Sequence, residues 1–113
     1  MDLTIKISAV QGVTVAELAG ELTAKTAPEA QQRILEQAQP SAKILLDLSR
    51  VQFMSSAGLR LLLVVYRGVT GKGGRAVLVG LTEDIKNTMA ITGFLDFFAH
   101  RDTLEAGIAE LTT

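Results

Sequence analysis

Ile44-Leu45-Leu46 and Ala76-Val77-Leu78-Val79 are apolar without interruption. A strand with one wet face alternates apolar and polar side chains, whereas a continuously apolar strand needs cover on both faces. Between the two runs lies a strongly apolar stretch, Ser56 to Thr70, with helical character. Strand, helix and strand of this kind imply parallel strands joined by a right-handed crossover, with helices on both sides of the sheet. A chain of 113 residues has room for one such core. At 48% hydrophobic but only 4% aromatic residues, that core must be aliphatic.

The flanking segments fit the same plan. Leu3, Ile5 and Ile7 alternate with Thr4, Lys6 and Ser8, the period of a half-buried strand. Val13, Val15 and Leu18 suggest a second strand, and Gln11-Gly12 a hairpin turn between the two at a sheet edge. Gly20-Glu21-Leu22-Thr23 reads as a loop. Thr26-Ala27-Pro28-Glu29 then opens a helix, with Thr26 as cap, Glu29 reaching back and Pro28 in the first turn. Ala30, Ile34, Leu35 and Ala38 form its apolar face, and Pro40 stops it.

The third strand is expected over Ala42–Leu48, followed by a short turn. Gly71-Lys72-Gly73-Gly74 ends the apolar helix. Thr82 is expected to cap a helix to about Thr92, with Glu83 and Asp84 in its first turn and Gly93 beyond its end. A short last strand is placed within Phe94–Phe98, and Asp102 is assigned as cap of a final helix holding Leu104, Ile108 and Leu111. The sum is an α/β domain: an open, mostly parallel mixed sheet with an N-terminal β-hairpin and about four helices.

Composition removes several function classes. Eleven Lys and Arg against twelve Asp and Glu give a formal charge of −1, not the concentrated basic surface of a nucleic-acid binder. There is no cysteine and one histidine, so thiolate chemistry and a typical zinc site are not expected. The run Leu61 to Tyr66 is too short to span a bilayer, and the N-terminus does not resemble a secretory signal. A soluble cytoplasmic protein without cofactor or membrane insertion is the expectation. A phosphate loop at Gly71-Lys72-Gly73-Gly74 fails, because Tyr66 and Gly73 stand where a glycine and a hydroxyl are needed. A serine hydrolase elbow fails at Met54, and His100 reads as a surface histidine in a late loop. Catalysis is not expected.

Asp47-Leu48-Ser49 through Phe53-Met54-Ser55-Ser56-Ala57-Gly58-Leu59 is similar to the D-L-S-x-V-x-F-[MI]-D-S-S-G-L signature of STAS domains of the anti-sigma factor antagonist type. Gly20-Glu21-Leu22 followed by Thr26-Ala27 resembles that family's G-E-L-D-x-x-T-A element, and Gly73-Gly74 and Thr92-Gly93-Phe94 also fit. The resemblance covers nearly the whole chain and implies one STAS domain over 1–113. It further implies a partner-switching phosphoprotein. In the family, the serine after the signature aspartate is phosphorylated by a partner anti-sigma factor, a serine kinase of the GHKL type. The unphosphorylated antagonist binds that partner and frees the sigma factor, and a PPM-class phosphatase reverses the modification. The matching position is Ser56. This chain departs from the pattern with Ser55 for the signature aspartate, Ala57 for the second serine, and Thr23 for the aspartate after G-E-L. Two other readings share the resemblance: a STAS subunit of a transporter or other signalling assembly without sigma-factor output, and a nucleotide-binding STAS domain, for which no residue here specifies a site.

The residues themselves support a binding surface around Ser56. Ser55 is the expected helix cap, leaving Ser56 as the better acceptor. Gly58 lets another backbone approach closely. Arg60 and Arg67 are the only charges on the apolar helix and share one face, with Val64 and Gly71 along the stripe and Ala57, Leu61 and Gly68 beside it. Ser55, Ala57, Gly58, Arg60, Leu61 and Val64 are therefore expected to contact a partner, Arg60 through an acidic group. Thr23 and Lys25 join them if the two strand-to-helix loops open at one end of the sheet. Asp47 is expected to order the loop carrying Ser55 and Ser56 by accepting backbone N–H bonds.

Overall fold

The computed structural model describes residues 2–113. In chain order the elements are β1 (Leu3–Val10), β2 (Val13–Leu22), α1 (Ala27–Leu35), β3 (Lys43–Met54), α2 (Ser56–Thr70), β4 (Arg75–Val79), α3 (Glu83–Ile91), β5 (Ala99–Arg101) and α4 (Leu104–Thr112). The strands form one sheet in the order β1-β2-β3-β4-β5. β1 and β2 are antiparallel and every other neighbour is parallel. The hairpin turns on Gln11 and Gly12, both with positive φ, as a two-residue turn between Val10 and Val13 requires.

The two apolar runs are covered on both faces. Ile44, Leu46, Ala76 and Leu78 enter the larger core with Leu18, Leu62, Val65 and Met89. Leu45, Val77 and Val79 face the other way, onto Ile108 and Leu111 of α4. Gly107 lets α4 settle there: a Cβ on it would stand 2.5 Å from Val79 Cγ1 and 2.7 Å from Leu45 Cδ1. Glu110 ties the same helix to the sheet by pairing with Arg75 (3.1 Å) and Arg101. At the opposite edge, Arg33 of α1 donates from Nη1 to the carbonyl of Ile5 on β1 (3.1 Å).

Several local expectations are corrected. Gly20-Glu21-Leu22 is not a loop but the end of β2. Gly20 pairs with Leu3 and Val51, while Glu21 and Leu22 pair with Phe53 and Met54. Gly20 adopts φ +126, and a Cβ there would lie 2.2 Å from the Asp2 carbonyl oxygen, so the strand survives because this residue is glycine. No turn follows Leu48, since β3 continues to Met54. Its register against β2 slips between Glu17 and Ala19 and again between Gly20 and Glu21, each time with one extra residue on β3. These are bulges. Asp47 Oδ1 accepts from the N–H (3.0 Å) and hydroxyl (2.7 Å) of Ser49, so it orders the first bulge and not the Ser55–Ser56 loop.

At the C-terminal side, Phe94–Phe97 is a 3-10 turn after the left-handed Gly93, and the last strand begins only at Ala99. His100 therefore sits in β5, opposite Leu78, half-buried. The final helix is capped by Thr103, which accepts from the Ala106 N–H (3.1 Å), not by Asp102. Among the described residues no helix is long and apolar enough to cross a membrane.

Candidate functional site

β2 and β3 end level with each other, Leu22 opposite Met54. Both then turn into helices, so the β2–α1 and β3–α2 loops open side by side at one end of the sheet. The Ser55 N–H donates to the Leu22 carbonyl (2.9 Å) and joins the two loops. Thr23 and Lys25 are thereby brought to the same end as Ser55 and Ser56. Thr26 does not cap α1. Its hydroxyl donates to the Glu21 carbonyl (2.7 Å) and accepts from the Thr23 N–H (3.0 Å), closing the first loop on itself.

Ser55 and Ser56 have different surroundings. Ser55 is extended (φ −83, ψ 179) and its Oγ accepts from the Ala57 N–H (3.2 Å). Its carbonyl accepts from the Leu59 N–H (3.1 Å). Ser56 is the first residue of α2 and is exposed, and its hydroxyl makes no side-chain hydrogen bond among the described residues. The cap is worth about 1 kcal/mol. Ser55→Ala is therefore expected to lower the melting temperature by roughly 4–8 °C, read by circular dichroism. A change below a degree would show that the cap contributes nothing.

The other expected contact residues divide. Arg60 is exposed, Ala57 and Val64 are half-buried, and Lys25 is exposed. Leu61 is 1% exposed and belongs to the core. Gly58 is buried too: a Cβ would lie 2.5 Å from Met54 Cγ and 3.0 Å from the Leu22 carbonyl oxygen. The backbone that Gly58 admits is the chain's own β2, not a partner's, and neither Gly58 nor Leu61 presents a surface for docking. Leu61 instead floors a hollow of about 300 Å³ between α1 and α2, bordered by Ala24, Ala27, Pro28, Gln31, Ala57 and Arg60.

On the other side of the loop lies a groove of about 210 Å³, where Gln52, Phe53, Met54 and Leu59 meet Asp84, Ile85 and Thr88 of α3. Phe53 is 52% exposed. The sequence reading missed this groove. The second bulge of β3 turns Phe53 outward, and the only trace of it in the sequence is the three-residue spacing of Leu48, Val51 and Met54. The site holds Lys25 and Arg60 on one flank and Glu83 and Asp84 on the other, with no acidic residue in the first turn of α2. Among the described residues no group of three or more His, Asp or Glu side chains is placed to hold a metal ion.

A five-stranded mixed sheet of this order, with two joined strand-to-helix loops and an exposed serine at a helix start, defines an α/β domain built around one loop end. The STAS domain family matches residues 4–107, and the chain belongs to that family. BtrV of Bordetella bronchiseptica, a candidate anti-sigma factor antagonist, is 28% identical over 112 residues, covering 98% of this chain and 97% of that one. The crystal structure of an anti-sigma factor antagonist from Mycobacterium paratuberculosis superposes with a TM-score of 0.86 at 25% identity, over 99% of this chain and 96% of that one. The Bacillus anti-sigma factor antagonist SpoIIAA shares the fold at 21% identity. Its unphosphorylated form gives a TM-score of 0.73 (95% of this chain, 96% of that one) and its phosphorylated form 0.72 (95% and 98%).

Proposed function

We propose that this chain is an anti-sigma factor antagonist. Unmodified, it binds an anti-sigma factor of the GHKL serine-kinase type through the two joined loops and the exposed face of α2. Phosphorylation of Ser56 by that partner ends the complex, and a PPM-class phosphatase restores it. The whole chain, 1–113, acts as one STAS unit, because Leu111 of α4 is still part of the core. The reading places the protein in the cytoplasm, where the kinase, its ATP and the sigma factor meet. The chain itself catalyses nothing in this scheme. Thr23, Lys25, Ser55, Ala57, Arg60 and Val64 form the contact surface, with Phe53 added to it.

The observation that carries the reading is the contrast between adjacent hydroxyls. Ser56 is exposed and its hydroxyl has no bond among the described residues, while Ser55 is held by bonds at its N–H, its carbonyl and its Oγ. A kinase needs an acceptor it can surround, and of the two only Ser56 offers one. Incubation with the candidate kinase and ATP, followed by mass mapping, is expected to place one phosphate on Ser56 and none on Ser55. Ser56→Ala is expected to abolish incorporation. Recovery of the phosphate on Ser55 or elsewhere would overturn the assignment.

A further inference from the structure

Ser56 and Arg60 stand one helical turn apart on α2, and both are exposed. Residues four apart share a helix face, and helical side chains lean toward the N-terminus. An arginine at the later position is therefore within reach of the earlier one. Arg60 forms no ion pair among the described residues. The other borders of its hollow are Ala24, Ala27, Pro28, Gln31, Ala57 and Leu61, with no carboxylate among them. Among the described residues, a cation without a counter-charge thus sits one turn from a hydroxyl without a bond.

We propose that a phosphate on Ser56 takes Arg60 as its intramolecular counter-ion and draws the guanidinium off the surface offered to the partner. The inference rests on Ser56 as the modified residue, and it concerns how modification ends binding. The planar fork of arginine can give two N–H groups to two phosphate oxygens, a geometry that lysine lacks. Phosphorylation then acts twice at one interface: it adds a dianion where the partner docks, and it occupies the cation that reaches toward the partner's acidic group.

The test installs phosphoserine at position 56 during translation, so that no kinase is needed, and follows the phosphate's second ionisation by phosphorus NMR. An unpaired phosphoserine titrates near a pH of about 6. A neighbouring cation favours the doubly charged form, so the paired phosphate is expected to titrate lower, at about 5.5. Arg60→Ala is expected to raise the midpoint towards about 6, short of it by whatever the N-terminal end of α2 still contributes, and Arg60→Lys to give an intermediate value. Arg67→Ala, two turns further along the same face, is expected to leave it where the unsubstituted protein has it. Identical midpoints for the unsubstituted protein and Arg60→Ala would refute the proposal. A failure of the kinase to modify Ser56 would leave this titration untouched and would count only against the function proposed above.

Discussion

Replacing Ser56 by glutamate is expected to weaken the complex with the proposed anti-sigma partner by about 100-fold or more. Two unit charges ~4 Å apart at an effective dielectric of ~20 interact by ~4 kcal/mol, and each ~1.4 kcal/mol is a tenfold change in affinity. The serine is exposed at the first residue of α2, so a longer acidic side chain there has room in the free protein. It is stabilised by the N-terminal end of the helix, which carries no acidic residue of its own in the first turn. The fold is therefore expected to be unchanged, and the loss to fall wholly on binding. Titration calorimetry measures it directly, with Ser56→Ala as the neutral control expected to bind as the unmodified protein does. Equal affinity for the glutamate and alanine variants would remove the electrostatic switch. Normal binding by both would also show that the partner-facing surface lies elsewhere.

Truncating Leu22 to alanine is expected to cost about 3 kcal/mol of stability, in the range of buried leucine truncations. Leu22 is 0% exposed, closes β2, and supports the start of α2 from below. A Cβ on Gly58 would stand only 2.9 Å from Leu22 Cβ, which measures how closely the helix rests on it. The variant leaves a void where two loops and a helix start converge, and the Gly58 backbone has no side chain with which to fill it. For a domain of this size the melting temperature should fall by roughly 10–20 °C. A fall below about 5 °C would mean that this end of the sheet is not packed as described. Calorimetric unfolding decides it, and hydrogen exchange at the Ser55 amide, which donates to the Leu22 carbonyl, gives a local readout.

The legible part of the sequence is the part where one local pattern had no competitor. No alternation was needed to place a strand at Ile44-Leu45-Leu46, because continuous apolar residues already demand cover on both faces, and α2 and α4 supply it. Gln11-Gly12, the caps at Ser55 and Thr82, and the stop at Gly93 are each set by backbone geometry that few residues satisfy. The family signature led to the loop end of the sheet, and the parallel pairing of β2 with β3 brings Thr23 and Lys25 there as expected.

What stayed hidden depends on neighbours distant in sequence. Gly20 looks like a loop until the Asp2 carbonyl is known to press against it. The far half of β3 has a spacing of three, Leu48, Val51 and Met54, because two bulges break the two-residue period of a strand. A strand expected to stop at Leu48 and a turn after it left the outward Phe53 unseen. Leu61 flanks Arg60 on the helix and so reads as partner surface, yet α1 packs against α2 closely enough to bury it. A Cβ on nearby Gly68 would lie 2.7 Å from Leu35 Cδ2. Thr103 holds the cap one position after Asp102, although aspartate is the stronger capping type, because the helix start is set by where the chain leaves β5.

Arg33, laid from α1 onto the outermost strand, has a consequence for how these molecules behave when crowded. An open sheet margin invites a second chain to pair with it and begin a growing stack. Here the Ile5 carbonyl already holds a guanidinium, and an incoming strand would have to evict that charge before it could dock. The β1 flank of the sheet thus carries its own guard against templating aggregates.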